Sequence, residues 1–259
     1  MSIFLERQKV KKRRALTKWF RLAERILLSV ATVVGGLAIL YGLYLLVFVG
    51  STFSIHEVIV DGQLTHLSTE GVVDLSGVKL GQNLFGIDVS LVHKHLKEHP
   101  WIERAAVRRR LPHTLCIHLE EYSPAAIISC ENGLMLVDQE GNTFKTLDSM
   151  DPKELPIITG IQGNGDLEMK TQLTEALAVI ASYRNSSFGQ SWGIAELHRD
   201  EMKGYSMMTE RGPIEIILGH DAASRFELLD RWQGILGRHS GRVTYILANE
   251  EKRLTVGYN

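Results

Sequence analysis

Residues 26–49, ILLSVATVVGGLAILYGLYLLVFV, carry no charged side chain. A helix rises 1.5 Å per residue, so about 20 apolar residues cross ~30 Å of hydrocarbon, and this run is long enough to span a bilayer. It exceeds the roughly 7–15 residues of a signal peptide's apolar region, and soluble core helices rarely lack a polar face. Gly50, Ser51, Thr52 and Phe53 then lead into a folded-looking segment without a small-residue cleavage pattern. The run therefore reads as an uncleaved transmembrane helix. Every other inference has to respect the boundary it draws.

That boundary divides the charge. Residues 1–25 hold nine Lys/Arg against Glu6 and Glu24, a net of +7, in a chain whose total is −1. Basic flanks stay on the cytoplasmic side, so the arm is expected inside the cell and about 210 residues outside it. The KVKKRR stretch could also be read as a nucleic-acid patch. An arm this short cannot build a reading domain, and the remainder of the chain is acidic, so contact with the lipid bilayer and no nucleic acid is the expectation. Only two cysteines occur, Cys116 and Cys130. On the oxidising side a bridge between them is permitted, but two thiols make no disulfide framework.

Beyond the span, Phe53 to Val60 reads as a strand closed by Asp61-Gly62. Ser68 is placed to cap a helix that Gly77 stops, and Asp88 to cap a second one carrying Leu91, Val92 and Leu96 until Pro100. Trp101–Arg109 and Thr114–Glu120 read as strands joined at Leu111-Pro112-His113, with Leu115, Ile117 and Leu119 alternating against Cys116, His118 and Glu120. The order β-α-α-β-β describes a compact two-layer unit, in which Trp101 is expected to fill the core between helices and sheet.

After Tyr122-Ser123-Pro124 the pattern shortens into strands: 125–130, a turn at Glu131-Asn132-Gly133, 134–138, and Gly141-Asn142 leading to Phe144. A helix is expected over 167–184, a strand over 193–198, and a hairpin of 204–209 with 213–218. Asp221 should cap a long helix ending at Gly237, with Phe226, Leu229, Trp232 and Leu236 as its core stripe. Strands 242–247 and 254–258 close the chain.

The segments FSIHEVIVDG, GQNLFGIDV, HPWIERAAVRRRLPHTLCIHLEEYSPAA, MLVDQEGNTF and LPIITG, kept in this order, resemble the FtsQ/DivIB family of bacterial cell-division proteins. The resemblance implies an α+β protein with four parts: a cytoplasmic arm at 1–25, a single N-terminal transmembrane helix at 26–49, a polypeptide-transport-associated (POTRA) domain at 53–121, and a mixed β-rich domain with packed helices at 122–259. It further implies a non-catalytic divisome scaffold in the cell inner membrane at the septum, binding the single-pass proteins FtsB and FtsL. Other divisome proteins would be reached through the POTRA domain. Arg108, Arg109 and Arg110 are the candidate docking residues there; because neighbouring side chains alternate between faces, they do not form one stripe, and a solvated edge is the plainer account.

The final run, Leu254, Thr255, Val256, Gly257 and Tyr258, is the candidate partner-binding strand. No later segment is at hand to cover its outer edge, and open edges invite a strand from another chain. In the resembled family the corresponding strand accepts a segment of FtsB, and Val256-Gly257-Tyr258 matches its Val-Gly-aromatic ending. Chemistry is not legible elsewhere. His95 and His99 have the i, i+4 spacing of a zinc pair beside His93, but no HExxH glutamate or third ligand accompanies them, and no cofactor is implied. Asp148, Asp151 and Glu154 crowd a loop and read as solvated. A membrane-anchored periplasmic enzyme and a POTRA-type polypeptide chaperone are the alternative function classes; the chaperone would need a following barrel of alternating strands.

Overall fold

The structure, a computed structural model, describes residues 25–130, 133–162, 165–238, 243–250 and 253–258. The basic arm up to residue 24 and the Glu131-Asn132 turn pair lie outside them. Helix α1 (Arg25–Val49) is long and apolar enough to cross a membrane, and none of its most apolar stretch is buried against protein. A soluble core helix would be covered. Its last turn, Leu45–Val49, widens into a π-helix, and a 3-10 turn, Ser51–Phe53, leads the chain away.

Two compact units follow from the contacts. The first takes residues up to Glu98 together with Ala105–Leu119, and the second takes His99–Arg104 with everything from Glu120 onward. In the first, β1 (Glu57–Asp61), α2 (Thr69–Ser76), α3 (Val89–Lys97), β2 (Ile102–Arg110) and β3 (Thr114–Glu121) form a three-stranded sheet in the order β1-β3-β2, with β1 parallel to β3. The caps are where the side chains predict them. Ser68 Oγ accepts from Gly71 N at 3.1 Å, Gly77 takes the left-handed conformation (φ 67°), and Asp88 Oδ1 accepts from Ser90 N at 2.9 Å. Val72, Val92, Leu96, Leu115, Ile117 and Leu119 are buried. Leu91 departs from the expected stripe. It is half exposed, and Val92 and Leu96 alone carry the inward face of α3.

The second unit is a nine-stranded mixed sheet. Its strands are β4 (Pro124–Cys130), β5 (Gly133–Asp138), β6 (Thr143–Thr146), β7 (Ile157–Thr159), β8 (Glu196–Asp200), β9 (Gly204–Met208), β10 (Glu215–Gly219), β11 (Val243–Leu247) and β12 (Thr255–Tyr258), in the order β12-β11-β10-β9-β8-β7-β4-β5-β6. Helices α4 (Asp166–Asn185), α5 (Ser187–Trp192) and α6 (Ala222–Arg238) contribute to its core. At the β4/β5 end both sheet faces are covered. Ala126, Ile128 and Val137 join the core with Leu173, Ala176 and Ile180 of α4, whereas Ile127 and Leu136 face Trp101, Tyr122 and Phe144. The unbroken apolar run Ala125-Ala126-Ile127-Ile128 is what two buried faces require, because alternate side chains serve opposite sides.

Trp101 therefore corrects the sequence expectation. It is 5% exposed, but its ring sits edge-on to Phe144 (centroids 5.4 Å apart) and packs on Ile127 and Leu136, all in the second unit. Trp101 stands in the turn just before β2, and the short segment His99–Arg104 packs with the second unit while the rest of β2 belongs to the first.

The Val137-Asp138-x-x-Gly141 motif is a turn held by one carboxylate. Asp138 is buried and accepts from Glu140 N (2.9 Å), Asn142 N (2.8 Å) and Asn142 Nδ2 (2.8 Å). Gly141 (φ 79°) leaves space that a Cβ would lose, 2.8 Å from Thr174 Oγ1 of α4. Asp138→Ala would strand these donors, and the expected cost of about 2–3 kcal/mol is read as a lower chemical unfolding midpoint for the full chain.

Asp151 is a further correction, since it is buried rather than solvated. Lys145 of β6 donates to it and, at 2.6 Å, to Asp148. Burial by itself would lower the Lys145 pKa, but the hydrogen bonds to the two carboxylates outweigh it and leave the pKa raised. In α6, Phe226 and Leu229 are buried as expected, while Trp232 is 42% exposed. The neighbouring Gln233 is the residue that turns to α5, donating to Ser191 Oγ at 2.6 Å, and this leaves Trp232 outward. The side chain of Leu236 lies outside what is described, and the helix backbone runs through Gly237 to Arg238, one residue past the expected end.

Candidate functional site

Strand β12 forms because Thr255, Val256 and Tyr258 suit a pleated, half-buried position. It pairs antiparallel with β11 (Leu247↔Thr255, Ile246↔Val256, Tyr245↔Gly257, Val243↔Tyr258), with a bulge between Val243 and Tyr245. Leu254 and Val256 pack on the core, while Thr255 is exposed and Tyr258 is 54% exposed. Gly257 has a steric role. A Cβ there would fall 2.1 Å from the ring of Tyr245, so only glycine lets that ring lie across the strand. Tyr245 itself is 42% exposed. The end of the sheet thus presents two tyrosines beside a strand that, among the described residues, has β11 as its one sheet neighbour.

The sheet's opposite edge, β6, is built differently. It is also four residues long, but Lys145 at its third position is an inward charge tied to Asp148 and Asp151. Inward charges on an edge strand oppose pairing with another chain, because a docking strand would have to bury them. Strand β12 carries no charge.

The three arginines of β2 separate by role. Arg109 Nε donates to Leu84 O at 2.9 Å and Arg109 Nη2 to Ile87 O at 2.5 Å, so this side chain holds the α2–α3 loop. Arg108 and Arg110 stand on the other side of the strand and are exposed, lining a cavity of about 630 Å³ with Ile59, Asp61, Ala106 and His118. Sequence spacing separates Arg109 from its neighbours, but nothing local announces its carbonyl partners, which are about 25 residues away. Both cysteines are free thiols, and among the described residues no cluster of three His, Cys, Asp or Glu is placed to hold a metal ion.

These features define a class: an apolar helix of membrane-crossing length, a βααββ unit of POTRA type, and a mixed sheet that, among the described residues, ends in an uncharged edge strand. Comparison with known proteins narrows the class. Residues 53–122 match the POTRA domain, FtsQ-type, family, and residues 126–246 match the family described as Cell division protein FtsQ/DivIB, C-terminal. The chain is 31% identical over 211 residues to Cell division protein FtsQ of Geotalea daltonii, covering 77% of this chain and 76% of that one. It is 31% identical over 185 residues to the FtsQ of Geobacter sp. strain M21 (69% and 66% covered), and 25% identical over 233 residues to that of Neisseria gonorrhoeae (89% and 86%). The chain belongs to the FtsQ family of cell division proteins. The C-terminal family match stops at residue 246, so the reading of β12 rests on its geometry.

Proposed function

We propose that this protein is a non-catalytic scaffold of the divisome, anchored in the cytoplasmic membrane by α1 with its N-terminus inside, which captures FtsB-type and FtsL-type single-pass proteins on the β12 edge during septum formation. The observation that carries the reading is the asymmetry of the nine-stranded sheet. One edge bears an inward charge, and the other, β12, is uncharged, flanked by exposed tyrosines and joined, among the described residues, to β11 alone. Strand addition gives affinity through backbone hydrogen bonds and selectivity through alternate side chains, and both are available there.

The test is calorimetric titration of the full chain, held in detergent, with the outer segment of FtsB. A saturable heat is expected, and its absence would refute the scaffold reading at this site. Topology is checked separately. A reporter active only outside the cytoplasm, fused after residue 60, is expected to be active; activity confined to a fusion at residue 5 would reverse the orientation.

A further inference from the structure

One end of the first unit gathers apolar and basic side chains around the exit of α1. The amide of Asn83 donates from Nδ2 to Val47 O at 2.6 Å and to Phe48 O at 3.2 Å, satisfying carbonyls that a helix end leaves unpaired. The same loop pairs with the departing chain: Leu84 N donates to Phe53 O (2.7 Å), Ile55 N to Gln82 O (2.8 Å) and Gly81 N to Ile55 O (2.8 Å). Aromatic rings continue the contact. Tyr44 stacks on Phe48 (5.2 Å), Phe48 meets Phe85 (6.5 Å), and Phe85 meets Phe53 edge-on (5.1 Å). Arg109 clamps the loop from the sheet side.

The strand register brings a second turn to this end. Because β1 runs parallel to β3 with Glu57 opposite Thr114, and His56 N donates to His113 O (3.0 Å), the Leu111-Pro112-His113 turn lies where the chain leaves α1. Leu80 (66% exposed), Phe85 (38%) and Leu111 (58%) are exposed apolar side chains on these two turns; Lys79 adjoins Leu80, Arg110 adjoins Leu111, and Arg108 stands one pleat back along β2. Exposed leucines alone would be unremarked. Here they share one end with basic groups, an aromatic chain and the C-terminus of a span-length helix.

We infer that this end of the POTRA-type unit is a membrane-contact surface: Phe85 and Leu111 enter the interface of the leaflet that α1 exits, Arg108 and Arg110 pair with anionic phospholipid headgroups, and Asn83 locks the unit's tilt to the helix. The inference rests on α1 being a membrane span. Basic side chains gain most near an anionic lipid surface, and aromatic rings favour the headgroup level.

The test places the photoreactive residue p-benzoylphenylalanine in the full chain at Phe85, Leu111, Tyr44 or Gln63. The chain is reconstituted in vesicles of phosphatidylethanolamine and phosphatidylglycerol, and phospholipid adducts are read by mass spectrometry. Tyr44 reports on the span, and Gln63 lies beyond the far end of β1. Lipid adducts are expected at 44, 85 and 111, with none above background at 63, and Arg108→Gln with Arg110→Gln should lower the yield at 111 several-fold while leaving 44 unchanged. Adducts at 44 but not at 85 and 111 would overturn the surface alone. Their absence at 44 would overturn the span and the surface together. In native membranes, protein adducts in place of lipid at 85 and 111 would reassign this end to a protein partner.

Discussion

Tyr258→Ala is expected to weaken capture of the FtsB outer segment by about 30-fold, because an aromatic hot spot is worth ~2 kcal/mol or more and each 1.4 kcal/mol is a factor of ten. The ring is 54% exposed at the end of β12, opposite Val243 on β11, where an added strand would run alongside it. Deletion of residues 254–259 should abolish capture. The deletion also removes Leu254 and Val256 from the core, so the point variant is the cleaner probe. Hydrogen exchange supplies the folding control: β1 and β3 of the first unit should keep wild-type protection in both variants. Titration of a folded Tyr258→Ala chain with wild-type affinity would refute edge pairing at β12.

Trp101→Ala should cost about 3–5 kcal/mol, a large share of the 5–15 kcal/mol that typically holds a domain folded. The ring is 5% exposed and closes the cluster of Ile127, Leu136, Tyr122 and Phe144, with Lys145 Nζ 5.9 Å from its centroid. Hydrogen exchange on the full chain locates the loss. Strands β4 and β5 are expected to lose protection first, whereas β1 and β3 should hold. The opposite order would return Trp101 to the POTRA-type core, and no change would mean that the ring contributes little packing.

Much of the chain was legible because its signals are local. A charge-free run of 24 residues can do little but span a membrane or be buried, and serine, aspartate and glycine at 68, 88 and 77 mark helix ends through bonds made within a few residues. The family motifs are legible for the same reason, since Val137-Asp138-x-x-Gly141 is a turn whose bonds close on themselves. Strand β7, three residues long, and helix α5, six residues long, are too short for periodicity to declare; each exists because neighbouring elements pair with it or cover it.

The tertiary structure alone decided which strand lies at an edge, that β10 and β11 run parallel while β11 and β12 do not, and that Trp101 packs with the second unit. It also decided that Arg109 reaches carbonyls across the α2–α3 loop, that Asp151 is buried against Lys145, and that Phe85 meets Phe48 of α1. Local bonding and side-chain alternation are written within a few residues of one another. Sheet order and shared surfaces depend on contacts between residues far apart in the chain, and those are settled only when the whole chain packs.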